Sequence, residues 1–191
     1  MKLRKIQKVL QGEYITRYDI QYETKSGSRK NYEMISRSPD IRQPEDLHGS
    51  KADAVIMIIH DQTGNKILLN REYRMAVGEW VYNFPAGLID AGETVAESAA
   101  RELREETGLQ LERISEEWRE SYSAVGFSNE KGIVIVGIAA GAMQPSDSEM
   151  EEIEARWYSK AEIRDLLLSD ARFAARTQAY CVLWSKQSGV V

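Results

Sequence analysis

The stretch AGLIDAGETVAESAARELREETGL, residues 86–109, predicts the helix around which the rest of the fold is arranged. Thr94 and Glu97 have the spacing of a capping box, in which each side chain accepts a hydrogen bond from the other residue's backbone N–H. Gly108 suits a left-handed C-cap, because glycine adopts positive φ without steric cost. We therefore expect a helix between Thr94 and Gly108.

The predicted helix has an apolar face with carboxylates beside it. Its apolar residues at helical spacing are Ala96, Ala99, Ala100 and Leu103. Glu102 and Glu106 are four residues apart, and Glu105 lies within one turn of Glu102, so the three carboxylates are neighbours. Such a group repels itself unless a cation lies within it, and its hard oxygens suit Mg²⁺, with Mn²⁺ as an alternative. The competing interpretation is a solvated face with salt bridges from Arg101 and Arg104.

The same residues match the Nudix box, G-x5-E-x7-R-E-U-x-E-E-x-G-U, where U is aliphatic. Its fixed positions are filled by Gly87, Glu93, Arg101, Glu102, Leu103, Glu105, Glu106, Gly108 and Leu109. Nine spaced matches make the motif specific, and the chain resembles the Nudix hydrolases. The resemblance implies an α/β fold, a Nudix-type αβα sandwich with a mixed sheet, and an enzyme that hydrolyses a diphosphate bond.

The resemblance also implies roles for individual residues of the box. It makes the backbone carbonyl of Ala86 and the carboxylates of Glu102 and Glu106 metal ligands. Glu105 is expected to share a metal or the water bound to it. Arg101 is expected to hold a glutamate in place with its rigid guanidinium fork. Glu93 is expected to support this network, and its alternative is a loop carboxylate exposed to water.

Residues outside the box narrow the resemblance to the ADP-ribose pyrophosphatase-like branch. They are residues 71–74 (REYR), 78–93 (GEWVYNFPAGLIDAGE), 122–130 (YSAVGFSNE) and 149–151 (EME). In that branch Arg74 contacts the substrate phosphates, and Gly87 and Leu88 belong to the substrate-binding turn. The alternative for Arg74 is a surface cation at a strand end.

The general base is expected in the acidic loop 142–152. The resemblance aligns Glu149 with the base and Glu151 with an additional metal ligand. Loops that close over a substrate commonly carry such groups. Glu151 or Glu152 as the base remains open, and so does a loop that is merely solvated.

We divide the chain into an N-terminal β unit with a linker, residues 1–50, and a Nudix hydrolase domain, residues 51–191. In related dimers the N-terminal unit exchanges across a two-fold axis, so the resemblance implies a homodimer. It assigns Tyr14 and Tyr32 to stacking on the nucleobase and Arg37 to a contact made from the partner chain. Stacking tolerates several bases. Tyr is also common in ordinary strands, which is the alternative.

Two residues depart from the branch's pattern. Val125 stands where a proline is typical, and Asn83 stands where a glutamate is usual. Neither residue belongs to the predicted helix, so the prediction of hydrolysis does not depend on them. The identity of the substrate does, and it stays open.

Composition restricts the class of protein. A net charge of −5 gives no broad basic field for nucleic acid, and no apolar run reaches the ~18 residues of a membrane span. One cysteine, Cys181, allows no internal disulfide, and two histidines argue against a histidine-based metal site. The basic first residues lack the apolar core of a signal peptide. We expect a cytoplasmic enzyme with a small-molecule substrate, no nucleic-acid partner and no membrane.

Periodicity and turn residues give the remaining elements. We predict strands at 14–23, 29–37, 52–60, 66–73, 81–84, 117–124, 132–141 and 154–158, a linker at 38–50, and helices at 159–168 and 171–185. The expected reaction is Mg²⁺-dependent hydrolysis of a nucleoside diphosphate sugar, with ADP-ribose giving AMP and ribose 5-phosphate. The alternatives are GDP-mannose, UDP-glucose or NADH as substrate, or a non-catalytic Nudix domain that senses a ligand.

Overall fold

The computed structural model describes residues 1–49 and 51–187. Its strands are β1 (Lys2–Gln11), β2 (Thr16–Glu23), β3 (Arg29–Ser36), β4 (Ala54–His60), β5 (Lys66–Arg74), β6 (Glu79–Asn83), β7 (Ala86–Leu88), β8 (Gln110–Glu117), β9 (Ser121–Tyr122), β10 (Lys131–Ala140) and β11 (Ile153–Ser159). Its helices are α1 (Val95–Thr107), α2 (Lys160–Leu168) and α3 (Ala175–Trp184), with a short 3₁₀ helix at Pro44–Leu47. Among the described residues, no helix combines the length and hydropathy that a membrane crossing requires.

The chain forms two compact units. The first comprises Met1–Ala54 and Glu120–Ile133, and the second comprises Val55–Arg119 and the described chain from Val134 onward. The assignment of separate functions to residues 1–50 and 51–191 stays a prediction.

The first unit contains the antiparallel sheet β1-β2-β3. One face of this sheet is covered, because Tyr18, Ile20 and Met34 are buried together with Ile41. Strand β1 is absent from the predicted strands. Its apolar residues are spaced irregularly among lysines, and most of its side chains are exposed. The 3₁₀ helix lies inside the predicted linker.

The second unit is a sandwich of helices around a mixed sheet. The strand order is β11-β5-β4-β10-β8, with β6 beside β5 and β7 beside β4. Alternate side chains of β4 and β5, such as Ile58 and Leu69, pack against α2 and α3 through Ile163 and Trp184. The neighbouring positions on the same strands face the other way, toward α1. The predicted αβα sandwich with an N-terminal antiparallel unit is confirmed.

Helix α1 has the ends that its sequence predicts. Thr94 Oγ1 accepts a hydrogen bond from the Glu97 N–H at 3.2 Å, Glu97 Oε2 accepts one from the Thr94 N–H at 2.8 Å, and Gly108 has a φ of 73°. The predicted apolar face is only partly right. The residues that face inward are Ser98, Ala99, Leu103, Glu106 and Thr107, whereas Ala96 and Ala100 are exposed. A methyl group buries little area, so Leu103 contributes more to the helix orientation than these alanines do.

Two predicted elements have different bounds. The strand predicted at 117–124 is reduced to the two residues of β9, and β8 precedes it at Gln110–Glu117. Strand β8 lies at a sheet edge, and its sequence QLERISEE carries only two aliphatic residues. The helix predicted from residue 171 begins at Ala175. The chain before it pairs with Tyr82, which donates its N–H to the Arg172 carbonyl at 2.7 Å.

Thr94→Ala is expected to lower the free energy of unfolding by about 1 kcal/mol, the usual value of an N-cap side chain. The variant loses the acceptor for the Glu97 N–H and leaves the core intact. Urea unfolding followed by circular dichroism measures this change. Thr24→Ala is the control, because it removes a threonine hydroxyl that accepts a hydrogen bond from a backbone N–H, that of Ser28 at 3.1 Å, outside any helix. An equal effect there would contradict a contribution specific to helix capping.

Candidate active site

The turn at β7 lies directly against the carboxylate of Glu102. A Cβ atom built on Gly87 would stand 1.8 Å from Glu102 Cδ and 2.1 and 2.2 Å from its two oxygens. Gly87 does not have positive φ, so its backbone conformation is open to other residues. Position 87 therefore requires glycine because its backbone approaches the Glu102 carboxylate too closely for a side chain. This approach places the backbone of residues 86 and 87 next to the carboxylates of the helix.

Arg101 links the loop before α1 to the carboxylates on the helix. Its Nε and Nη2 each donate to Glu93 at 2.9 Å, and its Nη1 donates to Glu102 at 2.8 Å and to Glu105 at 3.3 Å. Nη2 also donates to the carbonyl of Leu88 at 3.1 Å. The guanidinium fork thus holds three carboxylates and the turn in one arrangement.

Glu93 is fixed in this network. The hydrogen bonds from Arg101, and then that from Ser98 at 2.5 Å, lower the pKa of Glu93 to about 2. Its carboxylate therefore stays ionised at any physiological pH and holds Arg101 toward Glu102. In this structure Glu93 is partnered and is not a free loop carboxylate.

Two glutamates of the site are almost fully buried. Glu106 is 7% exposed and accepts one hydrogen bond, from Asn70 Nδ2 at 2.8 Å. Burial is the main reason that the pKa of Glu106 is well above its usual range, and repulsion from Glu72, Glu102 and Glu151 adds to it. Burial also raises the pKa of Glu72, which is 8% exposed, and that of Glu102. The three carboxylates thus lie close enough to repel one another, and Glu106 is the most deeply buried of them.

The acidic loop 142–152 is attached to α1 and β5. The Asp147 N–H donates to the Glu105 carbonyl at 2.9 Å, and the Tyr73 N–H donates to the Glu152 carbonyl at 3.0 Å. Glu151 lies near the buried carboxylates, since its charge raises the pKa of Glu72, Glu102 and Glu106. Glu149 is an exposed residue between the two attachments. Its role as base, and those of Glu151 and Glu152, stay predictions.

Arg74 is the cation at the edge of this cluster. Its side chain is 58% exposed, and its Nη1 lies 3.6 Å from Glu72 Oε2. Within residues 1–49 and 51–187 the guanidinium donates no hydrogen bond, so its donors are available to a ligand. Leu88, the other predicted substrate contact on this side, is 43% exposed.

The three predicted base-recognition residues belong to the first unit. Tyr14 is 74% exposed. Tyr32 donates its hydroxyl to the Gly126 carbonyl, and Arg37 Nε donates to Glu130 at 2.7 Å. Tyr32 and Arg37 therefore already have partners within their own unit, and all three roles stay predictions.

Two polar residues of the site, Asn70 and Glu72, are absent from the predicted site residues, and Asn83 is predicted only as a departure from the branch's pattern. Asn70 and Glu72 alternate with Arg74 along β5, so all three share one strand face. Strand periodicity applied to the REYR segment signals this arrangement. Asn83 lies on β6, opposite Asn70 in the sheet register, and its Nδ2 donates to Glu72 at 2.9 Å.

The donor set fits a hard divalent cation. Glu106 is a buried carboxylate with a single donor, and the Oδ1 of fully buried Asn70 has no hydrogen-bond partner in the described residues. In those same residues no three carboxylate, imidazole or thiol groups already meet around one point. Arg101 is the physical reason for part of this, because it engages Glu102 and Glu105. A cation here would compete with Arg101 for Glu102.

The chain is similar in sequence to known proteins. The NUDIX domain model matches residues 50–179. An ADP-ribose pyrophosphatase of Mycobacterium tuberculosis is 38% identical over 117 residues, covering 57% of this chain and 53% of that protein. The ADP compounds hydrolase NudE of Escherichia coli is 29% identical over 166 residues, covering 85% and 79%. The chain spans about half the length of the first curated relatives it matches.

The fold is also similar to that of a solved structure. A crystal structure of an ADP compounds hydrolase superposes with a TM-score of 0.72 and 23% identity, covering 100% of this chain and 98% of that one. At that identity the likeness concerns the fold.

Proposed function

Because the chain belongs to the Nudix family, we propose that it is a hydrolase that cleaves the diphosphate bond of a nucleoside diphosphate sugar, with ADP-ribose as the main substrate. The products are AMP and ribose 5-phosphate. The observation that carries this proposal is the cluster of Glu102 against Gly87 with the buried Glu106 beside it. A divalent cation would neutralise the repulsion within such a cluster. Mg²⁺ in proteins is commonly bound by one or two carboxylates together with the phosphates of a substrate, which favours a diphosphate as the ligand.

Two relatives support the choice of an adenosine diphosphate compound. One is named an ADP-ribose pyrophosphatase and another an ADP compounds hydrolase. Arg74, an exposed cation beside the carboxylates, is suited to a phosphate group of such a substrate. GDP-mannose, UDP-glucose and NADH are the competing substrates, because neither Asn83 nor Val125 follows the pattern of the branch.

We assign Mg²⁺, with Mn²⁺ as an alternative, to the Ala86 carbonyl, Glu102, Glu106 and Glu151. A bound divalent cation supplies positive charge to the diphosphate and to the attacking water. In this proposal Glu149 removes the proton of that water, and Arg74 orients a phosphate.

The supporting residues of the box act on this cluster through contacts. Arg101 and Glu93 keep Glu102 against Gly87, and Glu105 accepts from the same guanidinium. Gly87 and Leu88 form the turn that lies along the substrate.

We further propose a homodimer in which Tyr14, Tyr32 and Arg37 reach a nucleobase. Tyr14 is open to a ligand, while Arg37 first has to leave Glu130. The one cysteine, Cys181, is a buried free thiol, which fits the reducing cytoplasm.

The test is hydrolysis of ADP-ribose, GDP-mannose, UDP-glucose, NADH and a diadenosine polyphosphate by the full chain with Mg²⁺, read by chromatography of the products. We expect AMP and ribose 5-phosphate, with the highest kcat/KM for ADP-ribose and no product in EDTA. Equal rates on all five compounds would contradict the substrate choice. No product from any of them would contradict hydrolysis and leave a ligand-sensing domain.

A further inference from the structure

A chain of hydrogen bonds connects helix α3 to Glu72. Thr177 Oγ1 donates to Asn83 Oδ1 at 2.9 Å, and Asn83 Nδ2 donates to Glu72 Oε1 at 2.9 Å. The other oxygen of Glu72 lies 3.6 Å from Arg74 Nη1. Three secondary-structure elements, α3, β6 and β5, thus contribute to one line of polar contacts that ends at an exposed cation.

The inner part of this chain has little freedom to move. Thr177 is fully buried, and Glu72 is 8% exposed. The Phe84 N–H donates both to Asn83 Oδ1 at 3.0 Å and to Thr177 Oγ1 at 3.1 Å. The Asn83 side chain therefore uses both its oxygen and its NH₂ group. Exchanging the two by rotation of the amide would place the NH₂ group against the Phe84 N–H, and both are donors.

Arg74 differs from the inner members of the chain. Its side chain is more than half exposed, and the ion pair with Glu72 is its only side-chain partner in the described residues. An exposed arginine has many rotamers, and a ligand that it binds has to overcome their entropy. A fixed carboxylate beside Nη1 reduces that freedom and leaves the remaining donors to the ligand.

We propose that Glu72, Asn83 and Thr177 are positioning residues that hold Arg74 ready for a phosphate of the substrate. This inference rests on the proposed function for the identity of the ligand. The three residues act through Arg74, and none of them needs to touch the substrate. Thr177 on α3 thereby influences substrate binding from the interior of the protein.

The test measures kcat and KM for ADP-ribose, and Kd for ADP by titration calorimetry, in Thr177→Val. Valine is close to threonine in shape and replaces the hydroxyl with a methyl group, and the Phe84 N–H keeps Asn83 Oδ1 as an acceptor. We expect KM and Kd to rise by up to about tenfold, the upper range for loss of one hydrogen bond between neutral groups. We expect kcat to stay within about twofold, because Arg74 binds ground state and transition state alike. Asn83→Asp, which sets a second carboxylate against Glu72, is expected to raise both constants further.

Two further variants separate positioning from a general structural role. In an Arg74→Gln background Thr177→Val is expected to change neither KM nor Kd, because the residue it acts through is gone. Glu154→Gln is the matched control. It breaks an ion pair of 2.8 Å between Glu154 and Arg71, and Arg71 lies on the face of β5 opposite to Arg74. We expect that control to leave both constants unchanged.

The outcomes separate this inference from the proposed function. If the wild type is active and Thr177→Val has an unchanged KM, the positioning inference is overturned and the proposed function is not. The same follows if Thr177→Val has its full effect in the Arg74→Gln background. A wild type that hydrolyses none of the sugar nucleotides overturns the proposed function, and the Kd for ADP still tests the positioning of Arg74. If Asn83→Asp does not fold, Thr177→Val decides.

Discussion

Glu106→Gln is expected to lower kcat/KM for Mg²⁺-dependent hydrolysis by about a thousandfold, the upper range for loss of one preorganised charged group. Glutamine has the size of glutamate and keeps an oxygen that can accept from Asn70 Nδ2. It lacks the negative charge through which, in the proposed function, Glu106 binds the divalent cation. The loss concerns chemistry and metal binding and leaves the fold unchanged.

The same variant is expected to be at least as stable as the wild type when metal is removed. Burial raises the pKa of Glu106 well above its ordinary 4.5, so the folded state keeps a proton that the unfolded state has lost. Metal-free wild type therefore loses stability as pH rises from about 4.5 through the folded pKa. Glutamine has no such titration, and its NH₂ group can donate to Asn70 Oδ1, which has no partner in the described residues.

Thermal unfolding in EDTA at pH 5 and pH 8 measures this effect. We expect Glu106→Gln to have the higher Tm at pH 8 and a Tm close to that of the wild type at pH 5. Glu112→Gln is the matched control, because Glu112 is an exposed carboxylate that accepts from Gln62. More than a tenth of the wild-type activity in Glu106→Gln, or a clearly lower Tm at pH 8, would contradict the assigned role.

Local signals explain why helix α1 could be predicted from the sequence. The capping box and the C-cap glycine each involve residues within four positions of one another, and helix α1 has both at the expected places. The spacing of Glu102 and Glu106 likewise follows from helix geometry alone. The bounds of β8 and β9 could not be predicted in this way. Both are short of buried side chains, so apolar and polar residues alternate only weakly along them.

The missed part of the site depends on contacts between distant segments. Glu72 becomes a site residue because Asn70, on the same strand face, donates to Glu106 of α1 and because Asn83, eleven positions later, donates to Glu72. Likewise, Tyr32 contacts Gly126 across 94 positions, and Arg37 pairs with Glu130 across 93. A pattern within one segment indicates which face a residue takes, but its partner is set by the packing of the whole unit.

Gly87→Ala is expected to reduce kcat/KM by about a hundredfold, similar to the loss of a residue that orients a metal ligand. The added methyl group would stand 1.8 Å from Glu102 Cδ, and two atoms cannot occupy that separation. The atoms it meets are the end of a flexible side chain, so Glu102 can rotate away while the backbone stays. That rotation also weakens the hydrogen bond that Glu102 accepts from Arg101 Nη1 at 2.8 Å.

This prediction separates the position of Glu102 from its chemical identity, since Gly87→Ala leaves every carboxylate of the site in the chain. We expect a loss of about 1 kcal/mol or less in the free energy of unfolding, the cost of a strained rotamer. We also expect a smaller rise in Tm on adding Mg²⁺ than in the wild type, because a displaced Glu102 is a poorer ligand for the proposed cation. Gly126→Ala is the control, because a Cβ there meets nothing within 4 Å and its φ is not positive. Wild-type activity in Gly87→Ala would mean that Glu102 works from a position other than the one against Gly87.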